Sequence, residues 1–111
     1  MHATLCQPTI TAIQHQGHLH AANADAFQDR LISAISSHPN SILLVDMAQV
    51  ESLDSAGLMA LVVGLKRSRD RGCQLSLCSL SPAVQIVFEI TQLDRVFEIF
   101  DDRAAFQAEL G

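Results

Sequence analysis

Residues 41–65 read SILLVDMAQVESLDSAGLMALVVGL, and the fold turns on this stretch. Its opening, Ser41-Ile42-Leu43-Leu44-Val45-Asp46, is a short continuous apolar run bounded by turn signals. A strand exposed on one face alternates polar and apolar residues, whereas one covered on both faces has no need to. Further along, Leu58, Leu61, Val62, Leu65 and Ser68 recur at helical steps, and Met59 and Val63 widen the apolar side. Lys66, Arg67, Arg69 and Arg71 close the helix where positive charge suits its dipole, and Gly72 stands at a natural C′ position. A two-sided strand passing through a short link into a helix predicts the central strand of an α/β sheet.

The same pattern extends in both directions. Upstream, Thr9–Gln14 reads as a β-branched strand punctuated by Gly17. Residues 21–37 form a helix with Ala24, Phe27, Leu31 and Ile35 on one face, Asn23 as a cap and Asp25 near the dipole. Downstream, Gln74–Cys78 alternates as a strand, and Ser81-Pro82 opens a third helix that packs Val84, Val87, Phe88 and Thr91. Val96–Phe100 is the last strand, and a final helix starts at Asp101 or Asp102 and ends near Leu110. The sum is one α/β domain over residues 1–111. Strict alternation with short links gives a mainly parallel sheet of four strands, with an extra N-terminal strand near Leu5 as a fifth, and about four helices.

Composition narrows the function. Of 111 residues, 49% are hydrophobic, 17% charged and 5% aromatic, and mean hydropathy is +0.23. So short a chain supports one core, and so apolar a chain is not disordered. Twelve acidic against seven basic residues give a net charge of −5, which repels a phosphate backbone and argues against nucleic acid as a direct partner. Membrane insertion is not expected, because the longest apolar stretch, Leu58–Leu65, falls far short of the roughly 20 residues a spanning helix needs. The N-terminus lacks a signal-peptide pattern, and Cys6, Cys73 and Cys78 form no C-x-x-C, which together point to the cytoplasm.

The segment Val50-Glu51-Ser52-Leu53-Asp54-Ser55-Ala56-Gly57-Leu58 carries the main candidate site. It lies where a strand's carboxyl end passes into a helix, the usual place for a ligand or modification in an open α/β sheet. Asp54 or Ser55 suits the N-cap, the free N–H groups of the first turn favour negative charge, and Gly57 admits close approach of another chain. An ordinary capped helix has the same pattern, because Ser and Asp caps are common.

Leu53-Asp54-Ser55-Ala56-Gly57-Leu58, with Val50 before it and Leu61 after, resembles the signature of STAS domains, and more narrowly of bacterial anti-sigma factor antagonists. Gly17-His18-Leu19, the run from Gly72 to Cys78, and Ser81-Pro82-Ala83-Val84 with Phe88 and Leu93 are similar to the family in order and spacing. The likeness spans about residues 5–107. It implies a curved, mixed but mainly parallel sheet of four or five strands with about four helices mainly on one face, and a partner-switching module rather than an enzyme. An unphosphorylated antagonist binds an anti-sigma factor serine kinase, phosphorylation of the Ser after the motif Asp releases it, and a serine phosphatase restores it. Here the matching acceptor is Ser55, and the implied binding face is Asp54, Ser55, Ala56, Gly57 and Leu58 with the Gly17–Asn23 turn. On that turn His20 stands where the family often has an acid, and Ala56 replaces a second small hydroxyl residue. The alternative within the family is a STAS subunit of a transport or lipid-trafficking complex. Monomer and weak homodimer are both compatible with the sequence, and no cofactor is implied.

Other signals are weaker. His15, His18 and His20 form H-x-x-H-x-H, but only His18 and His20 share a strand face and no nearby Cys or acid completes a tetrahedron, so no metal site is expected. Cys73 and Cys78 would face opposite sides of one strand and cannot pair. No catalytic Ser-His-Asp order or phosphate-binding Gly-rich loop stands out, since Gly57, Gly64 and Gly72 do not form one.

Overall fold

A computed structural model describes residues 9–110. Strands β1 (Ile10–Gln14), β3 (Ile42–Asp46), β5 (Gln74–Cys78) and β6 (Glu98–Phe100) form a parallel sheet in the order β1-β3-β5-β6. All five residues of β3 are buried, as its unbroken apolar run requires. Helices α1 (Ala24–Ser37), α2 (Ser55–Asp70) and α3 (Pro82–Ile90) share a core with Leu43, Val45, Leu75 and Leu77 on one sheet face. Helix α4 (Arg103–Leu110) lies on the other, where Phe106 packs with Ile42, Leu44 and Cys78. This is the expected α/β architecture with helices mainly on one side. The strand anticipated near Leu5, like Cys6, lies outside the described residues.

Two strands were not foreseen. β1 and β3 each stop and resume as β2 (Gly17–Leu19) and β4 (Val50–Leu53), which pair in parallel as a ribbon of their own. Gly17, at φ +89°, adopts a conformation that favours glycine, and its N–H donates to Gln49 O at 2.9 Å. Asp46 governs the break on the β3 side. Its Oδ2 accepts from Gln14 Nε2 (3.1 Å) and Arg103 Nε (2.9 Å), and its Oδ1 from Ala48 N (3.0 Å). Burial pushes this carboxyl up, but the Ala48 N–H, the Arg103 guanidinium and the Gln14 amide outweigh burial and hold it below its ordinary value. One side chain therefore ties the strand break to α4.

Helix α2 is rotated from the expected face. Its buried stripe is Gly57, Ala60, Leu61, Gly64, Leu65 and Ser68, whereas Leu58, Val62 and Val63 are half-buried and Met59 is 57% exposed. The small residues face inward because α1 comes close: a Cβ on Gly64 would sit 2.8 Å from Leu31 Cδ1. Ser68 is buried without penalty because its hydroxyl donates to Leu65 O at 2.7 Å. Arg67 and Arg69 occupy the last turn, and Gly72 follows the cap at φ +71°.

The third helix begins as expected, with Pro82 at its start and Ser81 Oγ accepting from Val84 N at 3.4 Å. Ser81→Ala should lower stability by about 1 kcal/mol, measurable by urea denaturation. Val84 and Phe88 are buried and Val87 half-buried, but Thr91 is exposed and donates its hydroxyl to Val87 O at 2.7 Å. The last strand is shorter than expected, because a turn of 3-10 helix at Leu93–Arg95 draws the chain in and Phe97 packs edge-on against Phe88, with ring centres 5.5 Å apart. Asp102 caps α4, its Oδ1 accepting from Ala105 N at 2.8 Å. Cys73 and Cys78 are buried, unpaired, and placed in the clusters on opposite sheet faces.

Candidate functional site

β4 delivers the chain to Asp54, whose extended backbone (φ −99°, ψ −175°) turns it into α2. Asp54 Oδ1 accepts from Gly57 N at 3.0 Å, which satisfies a free donor of the first helical turn. Its Oδ2 accepts from Ala21 N at 3.2 Å, across to the segment that follows β2. The backbone joins the same two segments, since Asp54 N donates to Leu19 O at 3.2 Å. The Gly57 N–H, opposed by burial and helped by the N–H groups of Ala21 and Ala56 and by His20, lowers the Asp54 carboxyl from its ordinary value. Asp54 is thus an ionised joint between the helix start and the Gly17–Asn23 turn.

The sequence-derived site residues fall into layers around this joint. Ser55, first residue of α2, is exposed. Ala56 and Leu58 are half-buried and pack against the core. Gly57 is buried, and a Cβ there would lie 2.6 Å from Leu19 O and 2.9 Å from Leu19 Cγ. Met59, one turn below Ser55 on the widened apolar side of the helix, adds an exposed apolar group. The site therefore presents a hydroxyl and an apolar shoulder on a rigid base.

His20 is exposed at the crest of the neighbouring turn, and its Nδ1 accepts from Ala22 N at 3.1 Å. Asn23 stands at the N-cap of α1, but contrary to the expectation from sequence its side chain makes no capping bond and turns back into the loop before the helix. Its Oδ1 accepts from His20 N (2.9 Å) and its Nδ2 donates to His18 O (2.9 Å), so it holds the turn in place. Asn23→Ala should cost about 1 kcal/mol and lower the thermal midpoint accordingly. The three histidine rings serve different partners: His15 Nε2 meets His18 O at 3.0 Å, His18 meets Ser52, and His20 meets Ala22. Ala21 and Leu19 lie in the Gly17–Asn23 turn assigned to the binding face from sequence, but their bonds to Asp54 run through the backbone, which leaves no mark on residue type.

The STAS domain family model matches residues 3–105. BtrV of Bordetella bronchiseptica, named as a candidate anti-sigma factor antagonist, is 30% identical over 93 residues, which cover 84% of this chain and 79% of that protein. A crystal structure of a candidate anti-sigma factor antagonist from Thermotoga maritima superposes with a TM-score of 0.83 at 25% identity, covering 91% of this chain and 86% of the other. The STAS domain of a SulP transporter from Vibrio cholerae has the same fold, with a TM-score of 0.72 at 19% identity over 96% of this chain and 84% of that one. The chain belongs to the STAS domain family and has the fold of its anti-sigma factor antagonists.

Proposed function

We propose that this chain is an anti-sigma factor antagonist controlled by phosphorylation of Ser55. In the unphosphorylated form the Asp54–Leu58 turn and the His20 turn bind an anti-sigma serine kinase. Phosphorylation releases the kinase, and a serine phosphatase restores binding. The observation that carries this reading is the exposed hydroxyl of Ser55 at the helix start, beside a carboxylate already committed to two backbone donors. A phosphate brings a charge of about −1.5 to −2 next to ionised Asp54 and the apolar Leu58–Met59 shoulder. The base is locked by Asp54 and Gly57, so the added charge acts on the partner's affinity and the domain need not refold. The transport or lipid-trafficking alternative is supported by a shared fold alone.

The test is incubation with the cognate kinase and ATP. Wild type should take up label and Ser55→Ala should not; equal labelling of both would remove Ser55 from the proposal. In a pull-down, Ser55→Glu should lose partner affinity by about tenfold or more, the equivalent of roughly 1.4 kcal/mol for one misplaced charge.

A further inference from the structure

The β2–β4 ribbon carries a second cluster beside the Asp54 joint. His18 and Ser52 are register partners on its two strands, and His18 Nδ1 stands 2.6 Å from Ser52 Oγ. On the far side of the ring, His18 Nε2 faces Glu51 Oε1 at 3.9 Å. At that distance Glu51 makes no hydrogen bond to the ring; the neutral tautomer with its proton on Nε2 leaves the Nδ1 lone pair for the serine hydroxyl. The backbone under the ring is held as well, because His18 O accepts from Asn23 Nδ2 at 2.9 Å and lies 3.0 Å from His15 Nε2. A serine hydroxyl within hydrogen-bond reach of an imidazole nitrogen is a pair in which the ring can take the hydroxyl proton and activate the serine as a nucleophile. Ser52 is exposed, and the His18 and Glu51 side chains are 60% and 70% exposed, so an electrophile reaches Oγ directly.

We propose that Ser52 is a covalent modification site, activated by His18, for acyl or phosphoryl donors that carry a good leaving group. In the step, Ser52 Oγ bonds to the carbonyl carbon or phosphorus and the leaving group departs with its electron pair. The hydroxyl proton passes to His18 Nδ1. The same exposure limits the chemistry. Water is not expelled from the site, so charge developing at the electrophile is stabilised little more than in bulk solvent, and only donors with a good leaving group react. This inference is independent of the Ser55 switch.

A fluorophosphonate probe tests the phosphoryl arm on the intact chain: fluoride leaves, and peptide mapping locates the adduct. An aryl acetate tests the acyl arm in the same way. One adduct at Ser52 is expected, formed faster than any at exposed Ser55 and absent from Ser52→Ala. His18→Gln keeps the hydroxyl but removes the base, and should slow labelling on the order of a hundredfold. Glu51→Gln, which leaves the Ser52–His18 bond intact, should slow it less. Urea-unfolded wild type, in which the pairing is lost, should show no preference for Ser52. Labelling of Ser52 no faster than Ser55, or undiminished in His18→Gln, would overturn the assignment.

Discussion

Replacing Gly57 with alanine is expected to destabilise the fold by about 2–3 kcal/mol and lower its Tm by roughly 10 °C. The new Cβ would lie 2.6 Å from Leu19 O, a backbone atom held in place because it accepts from Asp54 N. It would also meet Leu19 Cγ at 2.9 Å and Leu53 Cδ1 at 3.0 Å, both on strand residues of the ribbon. None of these atoms is the free end of a mobile side chain exposed to water. Relief therefore means moving β2 away from α2, which opens the Asp54–Ala21 bridge. Alanine's better helix propensity, worth up to about 1 kcal/mol, offsets only part of the clash. Gly64→Ala is the control. Its nearest contact is the tip of Leu31 at 2.8 Å, which can rotate, while Leu31 Cβ and Leu75 Cδ1 stand at 3.5 Å. That variant should stay within about 1 kcal/mol of wild type. If both variants melt together, the close approach at Gly57 is not what sets the site. If Gly57→Ala also loses partner binding at temperatures where it remains folded, the ribbon–helix joint positions the binding face.

Asp46→Asn should cost about 2 kcal/mol at neutral pH. The wild-type carboxylate accepts from three donors: the Ala48 N–H, the Gln14 amide and the Arg103 guanidinium. An asparagine replaces one acceptor oxygen with an NH₂ group, so at least one of these donors faces another donor in a buried place. Its pH dependence distinguishes this from a mere packing loss. The Asp46 carboxyl is lowered in the folded chain from an ordinary value of 3.8. Above that value it is ionised both folded and unfolded, and its contribution is complete. As pH falls through 3.8 the unfolded chain binds the proton first, and stability drains away until the folded carboxyl is protonated too. The gap between wild type and Asp46→Asn should therefore be widest near neutrality and close in acid. Urea titrations at several pH values measure it directly. A gap that stays constant with pH would mean that the carboxylate's charge contributes nothing.

The parts of this protein readable from sequence are those written in side-chain periodicity. Ile42–Val45 reads as a covered strand and is one, and Phe27, Leu31 and Ile35 lie on the buried face of α1 where their spacing put them. The caps at Ser81 and Asp54 were legible for the same reason, because a capping oxygen must occupy a set position before the first turn. What escaped was short or carried by backbone. β2 has three residues and β4 four, too few for alternation to register. Asn23 stands at the N-cap of α1, yet its side chain serves the preceding turn, a choice between two local uses that residue type does not reveal.

The sequence by itself determined the class of fold and the order of its main strands and helices, and it put the start of α2 at Asp54 or Ser55. Burial patterns and caps are local properties, and they survive any arrangement that gives each element one covered face. Only the tertiary structure decided which face α2 buries, because that depends on how near α1 approaches at Gly64 and Leu31. It alone placed Ala21 on Asp54 and His18 on Ser52, residues 33 and 34 positions apart. Those pairings exist because two strands break at the same level and resume side by side, a coincidence of register that no single segment encodes.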